Sequence, residues 1–270
     1  MEARSAIPEA GARFLAAQPF VVLGSRRPDR TVWCTLLTGP AGFLRADGSE
    51  LAIDARPAPG DPLAVALEHG AFVGLLGIEP ASRRRMRVNG RSHPAAVDGV
   101  HSLHVEVDEA LSNCPRYIQR RAWTAVAPAA NPPVAAEGQR LTAAQSDWVR
   151  TADTFFIATT DAAGNADTSH RGGEPGFVEV AAPDRLEFAD YPGNNMFLTL
   201  DNIRAEPTAG LLFVDWEYGA LLHLSGTVAI RGETGDRGGA IERTIVFTIE
   251  HLVERRDVVP LRWSVSADRG

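Results

Sequence analysis

The strongest constraint on the fold of this chain of 270 residues is an internal repeat that spans most of its length. The segments that begin at Phe20 and at Phe155 share one order of features: apolar strand, polar turn, strand, a glycine before a phenylalanine, strand, turn and strand. Self-similarity of this extent predicts a tandem duplication, in which each half folds into the same unit. The matched positions, first half before second, are Gly42-Phe43-Leu44 with Gly176-Phe177-Val178, Leu51-Ala52-Ile53 with Leu186-Glu187-Phe188, Gly74-Leu75-Leu76 with Gly210-Leu211-Leu212, Gly90 with Gly226, and Val105-Glu106-Val107 with Ile245-Val246-Phe247.

Each half shows the same coarse order of elements. A short helix, about 5–17 in the first half and about 142–152 after the N-cap candidate Thr142 in the second, precedes three alternating strands. A loop, a second helix (about 61–69 and 195–204) and two or three more strands follow, and Asp61-Pro62 is a typical helix opening. Because hairpins and one helix join the strands, without strict βαβ alternation, the pattern predicts a mainly β fold in which each half is a small β-barrel with short helices.

The repeat also predicts the domain organisation. The first copy occupies residues 1–123 and the second occupies residues 141–270. The Ala/Pro-rich stretch between them, 124–140, offers few side chains to bury and is interpreted as a linker.

Lysine is absent from the chain: all 27 basic residues are arginine. This excludes a Schiff base through a side-chain amine, a Walker A loop and a kinase-type β3 lysine. Any anion that is bound by charge must therefore be held by arginine, by protonated histidine or by backbone amides. The formal net charge of −7 disfavours nucleic acid or an anionic membrane as the main partner.

The remaining composition indicates the compartment. Cys34 and Cys114 form no CxxC pattern and the histidines show no metal-ligand spacing, so we expect neither a disulfide framework nor a metal site. The N-terminal segment has acidic residues and no apolar signal region, and no apolar run approaches the ~20 residues of a membrane span. These features predict a reduced, cytoplasmic protein that does not cross a membrane.

Polar residues capable of binding an anion are concentrated in the second half. Adjacent strands are expected to bring Ser169, His170 and Arg171 beside the 190–195 loop. That loop leads into a helix, whose N-terminal amides favour an anion. Arg171 adds a guanidinium that can form a bidentate hydrogen bond to it. In the alternative interpretation, the loop forms only a turn and a helix cap, and Arg171 pairs with Asp190.

The first half offers a complementary strand over residues 83–90. Strand alternation places Arg85, Arg87 and Asn89 on one face. The alternative is a solvated strand edge.

The duplicated order, together with three motifs, resembles the pyridoxamine 5′-phosphate oxidase-like superfamily of FMN-binding split barrels. The motifs are SHRGGEPGF from Ser169, LEFADYPGNNMF from Leu186 and AGLLFVD from Ala209. The stretch NCPRYIQRR from Asn113 is similar to bacterial tandem members, which carry two barrels in one chain. The resemblance extends over residues 14–255.

This resemblance implies an intrachain pseudo-dimer with FMN between the two barrels, and it leaves open a further homodimer. The phosphate-binding basic position of the family falls on Arg171, and its flavin-contacting glutamine falls on Arg85. The first half has Leu37 or Thr38 and then Ala58-Pro59-Gly60 at the phosphate positions, without a charge. We therefore expect one FMN site per chain, on the C-terminal barrel, with the N-terminal barrel as its wall.

The predicted function is an FMN-dependent oxidoreductase that acts on a small molecule by hydride transfer at flavin N5, with NAD(P)H or a reductase as electron donor. The alternatives are a split barrel that binds haem, through His170 or His223, or deazaflavin F420, and a non-catalytic flavin-binding or sensing protein. His170 is the one candidate for acid–base catalysis. The predicted cofactor-binding residues are Ser169, His170, Arg171, Tyr191, Asn194 and Asn195 of the second half and Arg85 and Asn89 of the first.

Overall fold

The computed structural model of the protein describes residues 5–97, 100–112, 117–128, 134–190, 197–232 and 243–265. The helices in these ranges are α1 (Glu9–Ala16), α2 (Ala64–Glu68), α3 (Ala143–Thr151) and α4 (Phe197–Ala205). The strands before residue 130 are β1 (Phe20–Arg26), β2 (Val32–Thr38), β3 (Leu44–Asp47), β4 (Glu50–Ile53), β5 (Ala71–Glu79), β6 (Arg84–Val97), β7 (Val100–Ser112) and β8 (Arg121–Ala125). The later strands are β9 (Val134–Gly138), β10 (Thr154–Thr160), β11 (Ala166–Gly172), β12 (Val178–Ala182), β13 (Arg185–Asp190), β14 (Thr208–Val214), β15 (Leu221–Arg231), β16 (Arg243–Arg255) and β17 (Leu261–Val265).

The two halves form antiparallel sheets with the same strand order. The first sheet runs β2-β1-β5-β6-β7-β4-β3, and the second runs β11-β10-β14-β15-β16-β13-β12. Each encloses its own apolar core, and a third apolar cluster, which includes Phe20, Val22, Phe156 and Leu212, lies between them. The predicted fold class, mainly β with two barrel-like halves that form an intrachain pseudo-dimer, is therefore confirmed.

Two glycines allow the halves to approach closely. An added Cβ on Gly74 of β5 would lie 2.7 Å from backbone atoms of Asp167 and Thr168, and one on Gly210 of β14 would lie 2.6 Å from the Cα of Trp33. The sequence repeat matched these two glycines, and the structure shows that both are needed at equivalent backbone contacts between the halves.

Strand register defines equivalent positions in the two halves. Gly24 pairs with both Cys34 and Gly74, whereas Ala158 pairs with both Thr168 and Gly210. Cys34 is therefore equivalent to Thr168, and by the same register Thr35 is equivalent to Ser169 and Leu37 to Arg171.

One match of the repeat is wrong by two residues. Gly90 pairs with Val107 and Gly226 pairs with Ile249, so Val107 is equivalent to Ile249 rather than to Phe247. A shift of two residues keeps every side chain on the same face of the strand, so the alternation of apolar residues could not detect it.

The helix starts differ in how well they follow the sequence pattern. Thr142 caps α3 as expected, because its side chain accepts from the backbone N–H of Gln145 and the Gln145 side chain accepts from the N–H of Thr142. In contrast, α2 begins at Ala64, later than predicted, because residues 61–63 form a turn. The Asp61 carboxylate faces the interior and accepts from the N–H of Leu63.

The segment predicted as a linker contributes strands. β9 pairs with β16, and β8, which ends at Ala125, pairs with β17 to form a separate two-stranded ribbon. The division of the chain at residues 123 and 141 stays a prediction. None of the helices in the described ranges has the length and apolar character needed to cross a membrane.

Candidate functional site

The β6 strand of the first half faces the β11 strand of the second, and we call this contact the β6–β11 face. Arg87 Nη1 lies 2.7 Å from Oδ1 of Asp167 in an ion pair whose two side chains are 3% and 2% exposed. The other terminal nitrogen of Arg87 donates to Oγ of Ser169 at 3.1 Å, and Ser169 in turn donates to Asp167 at 3.1 Å. One buried guanidinium therefore joins the two halves to each other through charged and polar partners.

His170 lies beside this ion pair, among arginines. Arg85 Nη1 is 3.4 Å from Nδ1 of His170, and because a guanidinium only donates, Nδ1 acts as the acceptor. Burial lowers the pKa of His170 well below its usual value, and the charges of Arg85, Arg171 and Arg121 lower it further. At neutral pH the ring is therefore uncharged and carries its proton on Nε2.

Asn89 marks the open end of the β6–β11 face. Its Nδ2 donates to Glu109 at 3.2 Å and approaches Oδ1 of Asp167 at 3.5 Å. Its Oδ1 is buried without a hydrogen-bond partner among the described residues. A cavity of about 440 Å³ adjoins Asn89 and Asp167 and is also lined by Leu198 and Asn202 of the α4 helix.

Arg171 lies at the end of β11, the position to which the sequence resemblance assigns phosphate binding. The side chain is buried, and its Nη1 donates to the carbonyl of His170 at 3.2 Å. Ser169 Oγ lies 3.4 Å from Oγ1 of Thr199, so the first turns of α4 pack against this strand. Tyr191, Asn194 and Asn195 lie outside the described residues, as does the Asp190 side chain.

The structure thus brings five of the eight predicted residues together. Arg85 and Asn89 come from one half, and Ser169, His170 and Arg171 come from the other. Sequence reasoning left Arg87, Asp167 and Thr199 out of the site. Arg87 and Asp167 could have been found, since each lies two residues from a chosen residue on the same face of its strand.

The equivalent contact between β2 and β15, taken together with Asp61 before α2 and Arg255 of β16, is called the β2–β15 face and carries a different set of groups. Arg255 Nη1 lies 3.3 Å from Oδ2 of Asp61, and these side chains are again 3% and 2% exposed. Asp61 also accepts from Thr35 Oγ1 at 2.5 Å and from the N–H of Leu63 at 2.9 Å. A carboxylate of the chain itself therefore occupies the start of the α2 segment, with an arginine as its counter-ion.

His223 completes the β2–β15 face. It is fully buried, and its Nδ1 lies 2.9 Å from the carbonyl oxygen of Cys34. Burial lowers the pKa of His223, although Asp61 and the bond to Cys34 oppose the shift. Burial raises the pKa of the Cys34 thiol well above its usual value, and Asp61 raises it further. Both groups are therefore uncharged at neutral pH. Within the described residues, no group of three or more His, Cys, Asp or Glu side chains is arranged to hold a metal ion.

Comparison with known proteins finds one family model that is similar to the second half. Residues 141–250 match the family model described as pyridoxamine 5′-phosphate oxidase. No curated protein matches the chain.

Three solved structures are similar to part of the chain. A variant of HupZ from Group A Streptococcus is 17% identical with a TM-score of 0.34, over 42% of this chain and 98% of its own. A FAD-binding protein from Mesorhizobium loti is 14% identical with a TM-score of 0.32, over 43% and 95%. HutZ, described as the haem storage protein of Vibrio cholerae, is 11% identical with a TM-score of 0.31, over 43% and 95%. The family match extends over residues 141–250, less than half of the chain, and shows that the second half is similar to the pyridoxamine 5′-phosphate oxidase family.

Proposed function

We propose that the chain is an FMN-dependent oxidoreductase with one flavin site, on the β6–β11 face. The observation that carries this proposal is the buried position of His170 between arginines of the two halves, with Arg85 Nη1 3.4 Å from its Nδ1 and Arg171 Nη1 3.2 Å from its carbonyl oxygen. The positive charge of these guanidinium groups favours an anionic ligand, and in a chain without lysine arginine is the side chain that holds such a ligand by permanent charge. Arg121 contributes to the positive potential but is itself paired with Asp153 at 2.6 Å.

The residues of this face fit the two ends of FMN. Arg171 would hold the phosphate, as the sequence resemblance implies, and Arg85 and His170 would contact the flavin from opposite halves of the chain. Asn89 supports the fit, since its buried Oδ1 lacks a partner among the described residues and can accept from a ring N–H. When bound, FMN supplies hydride transfer at N5.

The chain's own groups would orient the ligand rather than react with it. The Arg87–Asp167 ion pair fixes β6 against β11, and Ser169 is held by that pair. His170 is neutral and presents an N–H at Nε2, so it can donate a hydrogen bond but cannot act as a cationic acid at neutral pH. We propose a small-molecule substrate, with NAD(P)H or a reductase as electron donor.

A single site per chain is supported by the β2–β15 face. Leu37 stands where the second half has Arg171, and Leu221 stands where the first half has Arg85. The Asp61 carboxylate already satisfies Arg255. A phosphate placed there would meet a buried negative charge, so the second position is closed to FMN.

The test is the absorption spectrum of the purified protein, followed by release of the ligand on mutation. We expect the two bands of oxidised flavin, bleaching by NADH or NADPH and recovery in air. A Soret band would instead assign haem, a deazaflavin spectrum would assign F420, and flavin that no reductant turns over would assign a carrier or sensor.

Arg171→Ala should release the flavin, because it removes the phosphate-binding cation. Arg56→Ala is the control, since Arg56 donates to the carbonyls of Ala95 and Ser102 within the first half. It should leave flavin content unchanged. Equal loss in both variants, or flavin retained in Arg171→Ala, would contradict the proposed site.

A further inference from the structure

A second cavity lies under the β8–β17 ribbon. Its volume is about 660 Å³, within the range of about 300–1,000 Å³ found for small-molecule sites. Four separate segments line it: 17–19, 38–41, 123–128 and 257–261, together with Ala58. None of these residues belongs to the β6–β11 face, so the cavity is distinct from the proposed flavin site.

The side chain of Trp123 is more exposed than its position on the ribbon predicts. It pairs directly with Trp263 across the ribbon, and side chains of directly paired residues project from the same face of a sheet. Trp263 is only 7% exposed and packs on Phe20 and Trp216, so this face is the inner one. Trp123 nevertheless is 45% exposed, because it lies over the cavity rather than on a core.

The lining of the cavity disfavours a charged ligand. Alanine, proline, valine and leucine side chains dominate it, and Asp257 is the one ionisable group among the described lining residues. Asp257 contacts Arg262 at 3.4 Å, so its charge is already partly balanced. An anionic ligand would be repelled by the Asp257 carboxylate and would find no cation among the lining residues that the structure describes. A cationic ligand would compete with Arg262 for the same carboxylate.

The cavity also lies where the first half differs from the second. Thr38, Gly39 and Pro40 line it at the end of β2, and this strand end is equivalent to the end of β11, beyond Arg171. In the second half the arginine is the residue directly before this strand end. In the first half that residue is Leu37, and the residues that follow it and line the cavity, 38–41, carry no charge.

We propose that this cavity binds an uncharged, apolar aromatic small molecule that stacks on Trp123. Aromatic stacking on an exposed indole ring and burial among prolines and alanines supply the affinity. The ligand proposed for this cavity has no phosphate group, in contrast to the ligand proposed for the β6–β11 face.

The test uses Nile red, an uncharged aromatic dye, in fluorescence titrations of the full chain. We expect saturable binding of one dye per chain that added FMN does not displace. Trp123→Ala should weaken it by about tenfold or more, equivalent to about 1.4 kcal/mol. Ala125→Trp, which fills the cavity from the neighbouring inward position without leaving a void, should block binding while preserving the thermal unfolding midpoint.

Tyr218→Ala is the matched control, because Tyr218 is an exposed aromatic residue that lines a neighbouring cavity and not this one. It should bind the dye as the wild type does. Binding that survives Ala125→Trp, or dye that FMN displaces, would overturn the proposal without affecting the flavin site. The wild-type protein could instead bind no dye and sediment as a dimer that Trp123→Ala converts to a monomer. That result would assign the surface to a second copy of the chain and would also overturn the proposal.

Discussion

The β6–β11 and β2–β15 faces occupy equivalent places in one fold, but their buried charged groups differ. The first gathers Arg85 and Arg171 around a neutral histidine. The second replaces those arginines with leucines and places Asp61 against Arg255. A chain with two similar halves needs each ligand-binding feature only once, and on the proposed function the β6–β11 face holds the anion while the β2–β15 face is closed by the Asp61 carboxylate.

The largest effect expected from this comparison comes from breaking the buried ion pairs. Arg87→Ala and Arg255→Ala each leave a buried carboxylate without its counter-ion, which costs about 3–5 kcal/mol. Chemical denaturation measures the free energy of unfolding. Arg140→Ala, which breaks an exposed pair with Asp184, is the control and should cost no more than about 1 kcal/mol.

A double variant sharpens the same test. Replacing both partners of the closed face, Asp61→Leu with Arg255→Met, should recover most of the stability lost in Arg255→Ala, because no buried charge is left unpaired. If Arg255→Ala is as stable as the wild type, the Asp61 carboxylate is not held by that arginine and the account of the closed face is wrong.

These ion pairs also show what the sequence could and could not predict. The strand order and the inward face of β6 follow from local alternation and from the repeat. The pairing of Arg255 with Asp61 joins residues that are 194 positions apart, and no local pattern predicts which of 27 arginines meets which carboxylate. Asp61 was interpreted as a helix opening, since its interior partners cannot be seen from neighbouring residues.

The ribbon was missed for a related reason. β8 and β17 come from the middle and the end of the chain, and neither belongs to the repeat that predicted the other strands. Five of the predicted site residues are brought together because they lie on two strands, β6 and β11, that pack against each other. Tyr191, Asn194 and Asn195 fall outside the described residues, so their role stays a prediction.

A moderate effect is expected from the two glycines at the contact between halves. Gly74→Ala and Gly210→Ala each force a Cβ against backbone of the other half, and overpacking of this kind costs about 1–3 kcal/mol. Only Gly74→Ala displaces Asp167 and Thr168 on β11, so it should also weaken flavin binding, whereas Gly210→Ala should not.

Unfolding experiments and flavin titrations check both parts of this prediction. Gly138→Ala is the control, because its added Cβ would approach only the carbonyl of Arg140, at 4.0 Å, and its stability should stay within about 1 kcal/mol of the wild type. Flavin affinity reduced equally in Gly74→Ala and Gly210→Ala would remove the distinction between the two faces.

The smallest effect is the pH dependence. His170 and His223 both have lowered pKa values in the folded protein, so below about pH 6.5 the unfolded chain binds more protons than the folded one. The two neutral histidines therefore contribute their full stabilisation above that pH. The free energy of unfolding falls as the pH drops toward the pKa values that the histidines have in the folded protein. The thermal unfolding midpoint should decrease from pH 7.5 to 5.5.

The two histidines should contribute unequally to that decrease. Cations surround His170, whereas the Asp61 carboxylate opposes the shift at His223. His170→Gln should therefore flatten the pH profile more than His223→Gln. The reverse order would mean that the arginines do not converge on His170.

The most direct measurement of the difference between the two faces is the stoichiometry of FMN binding to ligand-free protein, by isothermal titration calorimetry. The account predicts one FMN per chain, bound through the face that carries Arg171, and a titration of Arg171→Ala without detectable heat. Two equivalents per chain, or one equivalent that survives Arg171→Ala, would contradict it.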